Sequence, residues 1–299
     1  MNEIKLANRF IFLLLIYEVT VKLIFELIKL NVKSTFLLQI IFMFMPIAFY
    51  FLLTKEKIFD VIKIKKVSKK NICVLILLSL TIQPVMNFFA FLGELFAKDQ
   101  NRMQDILNMI LGNNLLLSIF LFALMPSVFE EIIFRGIFFF GYKKTNPIVK
   151  AIFINSLAFA ALHLNFQQFF YAFAMGWIFC LIDVSLDSII PSVILHFIFN
   201  ATQVSKAYFF AHSIGLNGFK QLYNINSFSL KNDDISTFLI TFFASLFFLP
   251  ISMYLLNTLV KNFKTKSQSV TNNYVDTKAK QIFTLPLIFY LAICFLFMR

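Results

Sequence analysis

Charge is what this sequence has least of for its length. Only 14% of its 299 residues are Asp, Glu, Lys or Arg, where soluble domains carry about 25%. Hydrophobic residues, 43 Phe among them, make up 60%, against about 45–50% in soluble proteins. A water-facing globule is thereby excluded. Cysteine is also scarce. Cys73, Cys180 and Cys294 are odd in number, match no disulfide framework and form no C-x-x-C pair. They read as small residues buried in the membrane. No internal repeat of 20–50 residues is visible. The N-terminal apolar stretch is too long for a cleavable signal, and no small-residue cleavage site follows it.

What the chain has is apolar length. Stretches of 18 or more apolar residues recur, each long enough for a hydrocarbon core of about 30 Å. The expected fold is all-α, a polytopic transmembrane helical bundle of about eight to nine spans. They are expected near 8–30, 35–54, 72–97, 109–129 (running on to about Tyr142), 149–164, 168–183, 189–204, 236–256 and 282–298. The net charge of +12 raises nucleic acid as a partner, but the basic residues cluster between apolar stretches, as the positive-inside bias produces. The bilayer is the partner this implies, and nucleic acid is not. With a cytoplasmic N-terminus, inner segments such as Lys55–Lys70 carry roughly twice as many Lys and Arg as outer ones. A multi-pass cell-membrane protein, N-terminus inside, follows. Residues 205–235 read as an outer loop and 261–281 as a polar cytoplasmic linker.

Ionisable side chains are costly in hydrocarbon, so those inside spans are functional candidates. Glu130, Glu131 and Arg135 end the fourth span; Phe159 and His163 lie in the fifth, His196 and Asn200 in the seventh. At 100° per residue, Glu131 and Arg135 are about 40° apart and can pair, while Glu130 is about 140° from Arg135 and points elsewhere. Glu130 suits a general base acting on water with help from His163. His196 and Asn200 suit donation to the oxyanion of a scissile carbonyl. Pro126 is expected to kink the helix beside them. Spacing leaves a zinc site open as well, with His163, His196 and Glu130 as ligands and water as the fourth. The metal-free glutamate mechanism is the preferred reading. As drawn, His163 and Glu130 lie at different depths, so the fifth helix must start later or the fourth must run on.

E-E-x-x-x-R, F-x-x-x-H and H-x-x-x-N, in this order on successive spans, resemble the signature of the CPBP (CAAX protease and bacteriocin-processing, Abi) family of membrane proteases. That family includes the CAAX prenyl endopeptidases. Phe134-Arg135-Gly136 resembles its F-R-G, and the likeness covers roughly residues 110–204. It implies an intramembrane endopeptidase acting on a membrane-associated or lipidated peptide. Glu130 and His163 would activate water, His196 and Asn200 would form the oxyanion site, and Glu131 and Arg135 would hold the architecture. Phe159 would pack nearby. The implied organisation is an N-terminal helical part with a basic loop (1–108), a catalytic core (109–204) and C-terminal helices with a polar linker (205–299). The alternative is a non-catalytic immunity or peptide-binding protein on the same scaffold. A transporter using Glu18, Lys22 and Glu26 is a third reading, against which an ion-pair ladder on one face of the first span is the simpler account. His212 reads as a bystander. Asp187 and Ser188 read as the N-terminal cap of the seventh span.

Overall fold

The computed structural model describes residues 3–28, 32–97, 110, 112–143, 147–225, 232–272 and 284–298. Every regular element among them is helical. In chain order they are α1 (Glu3–Ile28), α2 (Val32–Thr54), α3 (Lys69–Thr81), α4 (Gln83–Glu94), α5 (Leu115–Lys143), α6 (Ile148–Leu162), α7 (Phe166–Leu186), α8 (Ile190–Ile225), α9 (Asn232–Leu259), α10 (Phe263–Asn272) and α11 (Leu285–Phe297). A short helical turn, Ile58–Val61, precedes α3.

The all-α class holds, but the span count does not follow from it. Among the described residues three helices are long and apolar enough to cross a membrane alone: α5, α7 and Ile235–Leu259 of α9. Helices α3 and α4 qualify together as one broken span, bent by 41°. The break falls where Pro84, in the first turn of α4, cannot donate to the preceding turn. Two of the others, α1 and α6, fall short for visible reasons. Lys5, Arg9, Glu18, Lys22 and Glu26 interrupt α1, and the side chains of Lys22 and Glu26 lie outside those described, so the proposed ladder is not seen. The 15-residue α6 is about 22 Å long, short of the ~30 Å core.

Two boundaries differ from the sequence expectation. Helix α8 runs on to Ile225, so most of the expected outer loop is helix, and His212 sits on it with its ring stacked on Tyr208. Within the expected linker, Phe263–Asn272 is helical, while 273–281 lie outside the described residues.

Helix α7 is the hub. It packs on α6, α4, α8 and α10, while α5 packs on α8. Close approach of α4 needs Gly93, where a Cβ would lie 2.2 Å from the Phe166 carbonyl oxygen. Asn165 caps α7 by accepting from the Gln167 N–H at 2.8 Å. Buried polar groups tie the rim of the bundle. Tyr142 donates to Asn8, and Asn8 donates to Thr284 at 2.8 Å, joining the last turn of α5 to α1 and the start of α11. The outward faces of α9 are apolar, with Ile240, Phe247 and Tyr254 exposed, as a lipid-facing helix requires.

Candidate active site

Helix α5 is continuous past Glu130 but is not uniform. Two π-helical turns, Phe120–Leu124 and Ile132–Phe138, flank a seven-residue α-helical stretch that carries Glu130 and Glu131. Pro126 lies in its first turn, where it has no N–H to donate to the preceding π turn. Because α5 runs on to Lys143, Glu130 lies near mid-helix. The fourth apolar stretch therefore runs on past Glu130, one of the two arrangements that the sequence left open.

Glu131 and Arg135 pair as expected, with Arg135 Nη1 donating to Glu131 Oε1 at 3.2 Å and both side chains fully buried. The sequence did not reveal what else Glu131 holds. His196 Nδ1 lies 2.9 Å from the same Oε1. A carboxylate paired with arginine only accepts, so this ring nitrogen carries the proton. The opposite nitrogen, Nε2, then faces Glu130 Oε2 at 4.0 Å. Glu130 points away from Arg135 and keeps 21% of its side chain exposed. The two neighbouring carboxylates thus sit on either side of one imidazole.

Aromatic rings set the remaining geometry. The guanidinium of Arg135 lies 4.3 Å from the centre of the Phe159 ring and 4.9 Å from that of Phe179, a cation–π sandwich that partly replaces lost hydration. Phe179 also stacks on His196 at 5.1 Å. Phe159 meets His163 edge-on at 5.0 Å and His196 at 6.1 Å. One ring therefore touches Arg135, His163 and His196, one residue from each of the three motifs. His163 ends α6 as its C-cap, and its Nδ1 lies 2.9 Å from the Phe159 carbonyl oxygen. That oxygen can only accept, so Nδ1 carries a proton. Asn200 stands one turn beyond His196 on α8, half-buried.

Residues Gly176, Phe179, Cys180 and Asp183, all on α7, complete the surroundings. A Cβ on Gly176 would sit 3.2 Å from both Arg135 Nη2 and Phe159 Cδ1. This glycine makes room for the sandwich, a more specific task than the close helix packing its size suggests. Asp183 is buried and accepts from Ser192, from the backbone N–H at 3.1 Å and the hydroxyl at 2.7 Å. It caps the first turn of α8. Asp187 does not take that role. It is the left-handed C-cap of α7 (φ 52°) and pairs with Lys63, at 2.9 Å, and with Lys65. Burial raises its carboxyl, but the two ammonium groups outweigh that and hold it below the usual carboxylate range. Ser188 accepts from the Lys65 N–H at 3.0 Å and donates to the Lys65 carbonyl at 3.1 Å, stapling the basic loop to the α7–α8 turn.

Sequence reasoning passed over Phe179 and Asp183. The available signal was an acid near the end of an apolar stretch, four residues after an aromatic and seven after a glycine on the same helical face.

A metal would need its ligands together. Among the described residues no three His, Cys, Asp or Glu side chains come close enough to hold one. Both histidines do have Nδ1 anchored and Nε2 directed elsewhere, but the expected set of His163, His196 and Glu130 is not assembled as a ligand cage.

Residues 112–202 match the family model described as type II CAAX prenyl endopeptidase Rce1-like. The match contains all seven motif residues and ends just past Asn200. No curated protein and no solved structure matches the chain. The matched family is one of membrane proteases.

Proposed function

We propose that the chain is a multi-pass intramembrane endopeptidase of the cell membrane, with its N-terminus cytoplasmic and its catalytic core in residues 109–204. Its substrate would be a membrane-associated or lipidated peptide, and the description of the matched family favours a prenylated C-terminus. The observation that carries this reading is the shared imidazole. His196 is anchored by Glu131 at 2.9 Å and presents its other nitrogen to Glu130 across 4.0 Å. That gap is too long for a direct hydrogen bond and suits a bridging water or a substrate oxygen.

In this mechanism Glu130 removes a proton from a water that His163 helps to orient. The water oxygen bonds to the scissile carbonyl carbon, and the carbonyl oxygen becomes an oxyanion. Asn200, and His196 in its protonated form, donate to that oxyanion. The C–N bond then breaks, and Glu130 returns the proton to the leaving amine. Glu131 and Arg135 act through His196, holding its ring in register and balancing its charge. No step passes through a metal.

The test is cleavage of a fluorogenic, farnesylated peptide series by protein in nanodiscs, comparing wild type with Glu130→Gln and His163→Ala, with and without chelator. Loss of turnover in both folded variants, with no chelator effect, supports the glutamate-activated water. Loss on chelation with rescue by zinc moves the chemistry to a metallopeptidase. If wild type cleaves nothing while a cellular phenotype survives both substitutions, the peptidase is wrong and a non-catalytic immunity or binding scaffold takes its place.

A further inference from the structure

The segment between α2 and α3, residues 55–70, carries seven lysines against two acids, Glu56 and Asp60. Lys63 and Lys65 are paired, both with Asp187. Lys55, Lys57, Lys66, Lys69 and Lys70 are exposed. None of these five ammonium groups has a partner among the described residues. Lys69 and Lys70 stand in the first turn of α3, where the helix end is itself positive and no acid is present. Nothing in the described protein relieves their mutual repulsion.

Apolar side chains stand among these lysines. Ile58, Phe59 and Ile64 are 51%, 76% and 57% exposed. Yet the segment is firmly seated on the bundle. Val61 and Ile62 are buried, and a Cβ on Gly136 of α5 would lie 3.3 Å from Ile62 Cγ1. The Ile189 N–H donates to the Lys63 carbonyl at 2.9 Å, beside the Ser188 staple to Lys65. Five bare ammonium groups and three apolar side chains are thus held on one fixed support. Lysines that only set topology need no more than numbers on one side. Exposed Ile and Phe fixed beside them need an apolar phase within reach.

We propose that residues 55–70 form a docking platform for anionic phospholipid. Headgroup phosphates sit on the unpaired lysines, and Ile58, Phe59 and Ile64 sit among the acyl chains. The segment joins two apolar helices, α2 and α3, and a polybasic stretch beside a span is drawn to a negative leaflet. Charge alone would suit an acidic peptide equally; the interleaved apolar side chains favour the lipid. The inference rests on the membrane placement proposed above and is independent of the peptidase chemistry.

The test titrates full-length protein in neutral detergent with phosphatidylglycerol or phosphatidylcholine and reads the thermal midpoint, which a ligand of the folded state raises. Phosphatidylglycerol should raise it, phosphatidylcholine should not, and added salt should weaken the effect. Lys69→Gln with Lys70→Gln should leave the lipid-free midpoint unchanged. It should raise the half-saturating phosphatidylglycerol concentration about 25-fold, about fivefold for each lysine at an anionic surface. Lys261→Gln with Lys264→Gln, two exposed lysines outside the platform, should change it little. Equal response to both lipids, or equal weakening by both lysine pairs, overturns the platform and leaves the membrane placement standing. A midpoint raised by polyglutamate but not by phosphatidylglycerol overturns the lipid in favour of an acidic peptide. A second measurement places Phe59→Trp in a Trp177→Phe background, removing the chain's one native Trp, in nanodiscs of both lipids. Bromine on the phosphatidylglycerol acyl chains should quench the indole more than bromine on phosphatidylcholine. Absence of quenching by either overturns the seating of the apolar side chains.

Discussion

Two sides of one turn of helix behave oppositely in this protein. Glu131 faces inward, fully buried, between an arginine clamped by two phenylalanine rings and a histidine on another helix. Glu130, its neighbour, keeps part of its side chain exposed, with the His196 imidazole 4.0 Å away. Both are carboxylates in a membrane helix, where neither is tolerated without cause. The sealed side shares one carboxylate oxygen between Arg135 and His196; the open side leaves its carboxylate available. In the proposed mechanism chemistry belongs to the open side and structure to the sealed one.

The largest effect should come from breaking the sealed side. Glu131→Ala or Arg135→Ala strands a buried charge and should cost about 3–5 kcal/mol of stability, read as loss of monodisperse protein or a large drop in thermal midpoint in detergent. Retention of wild-type stability in either variant would erase the contrast between the two sides. On the open side the pattern should invert. Glu130→Gln should keep the fold within the roughly ±0.5 kcal/mol of an ordinary tolerated change while lowering kcat about 10²–10⁴-fold. Asn200→Ala should lower kcat about 10²–10³-fold with KM little moved, measured by steady-state cleavage.

A smaller effect sharpens the boundary between the sides. Gly176→Ala forces a Cβ to within 3.2 Å of Arg135 Nη2, Phe159 Cδ1 and the Ser156 Cα. Such overpacking should cost about 1–3 kcal/mol and disturb the sandwich, visible as a lowered thermal midpoint and a weaker kcat together. The smallest effect lies outside the site. Asp187→Ala removes partly exposed ion pairs to Lys63 and Lys65, worth about 0–1 kcal/mol and weaker still in high salt. Because the folded carboxyl is held below its ordinary value, this contribution is present above the unfolded carboxylate pKa of about 3.9. It fades as pH falls through the folded value, so wild type and variant should converge in acid.

Several of these residues were legible beforehand, and for a definite reason. Glu130, Glu131, Arg135, His163, His196 and Asn200 stood out because polar side chains are rare in apolar stretches and cost free energy there. The Glu131–Arg135 pair followed from four-residue spacing on one helix, which local geometry determines. Asp183 and Phe179 were passed over because their partners, Ser192, Arg135 and His196, come from elsewhere in the chain. Asp187 was misassigned to the cap of α8 for the same reason. Its lysine partners lie more than a hundred residues upstream, and no local signal separates a helix start from a preceding helix end. Apolar length suggests about nine spans, whereas among the described residues three helices, or up to four counting the bent pair, are long and apolar enough to cross alone. Among the qualifying helices, 44% of the apolar window of α7 is buried in protein, against 17% for α9.

Composition by itself determined that the chain is helical and belongs in a membrane, since backbone groups in hydrocarbon must be satisfied within a helix. Local spacing determined which polar residues would stand out and which two would pair. Tertiary packing alone decided that Glu131 is shared between an arginine and a histidine, and that one phenylalanine ring touches Arg135, His163 and His196. Those relations join α5, α6, α7 and α8, and the distance between helices is set by small residues and ring stacking across the bundle, which no single segment encodes.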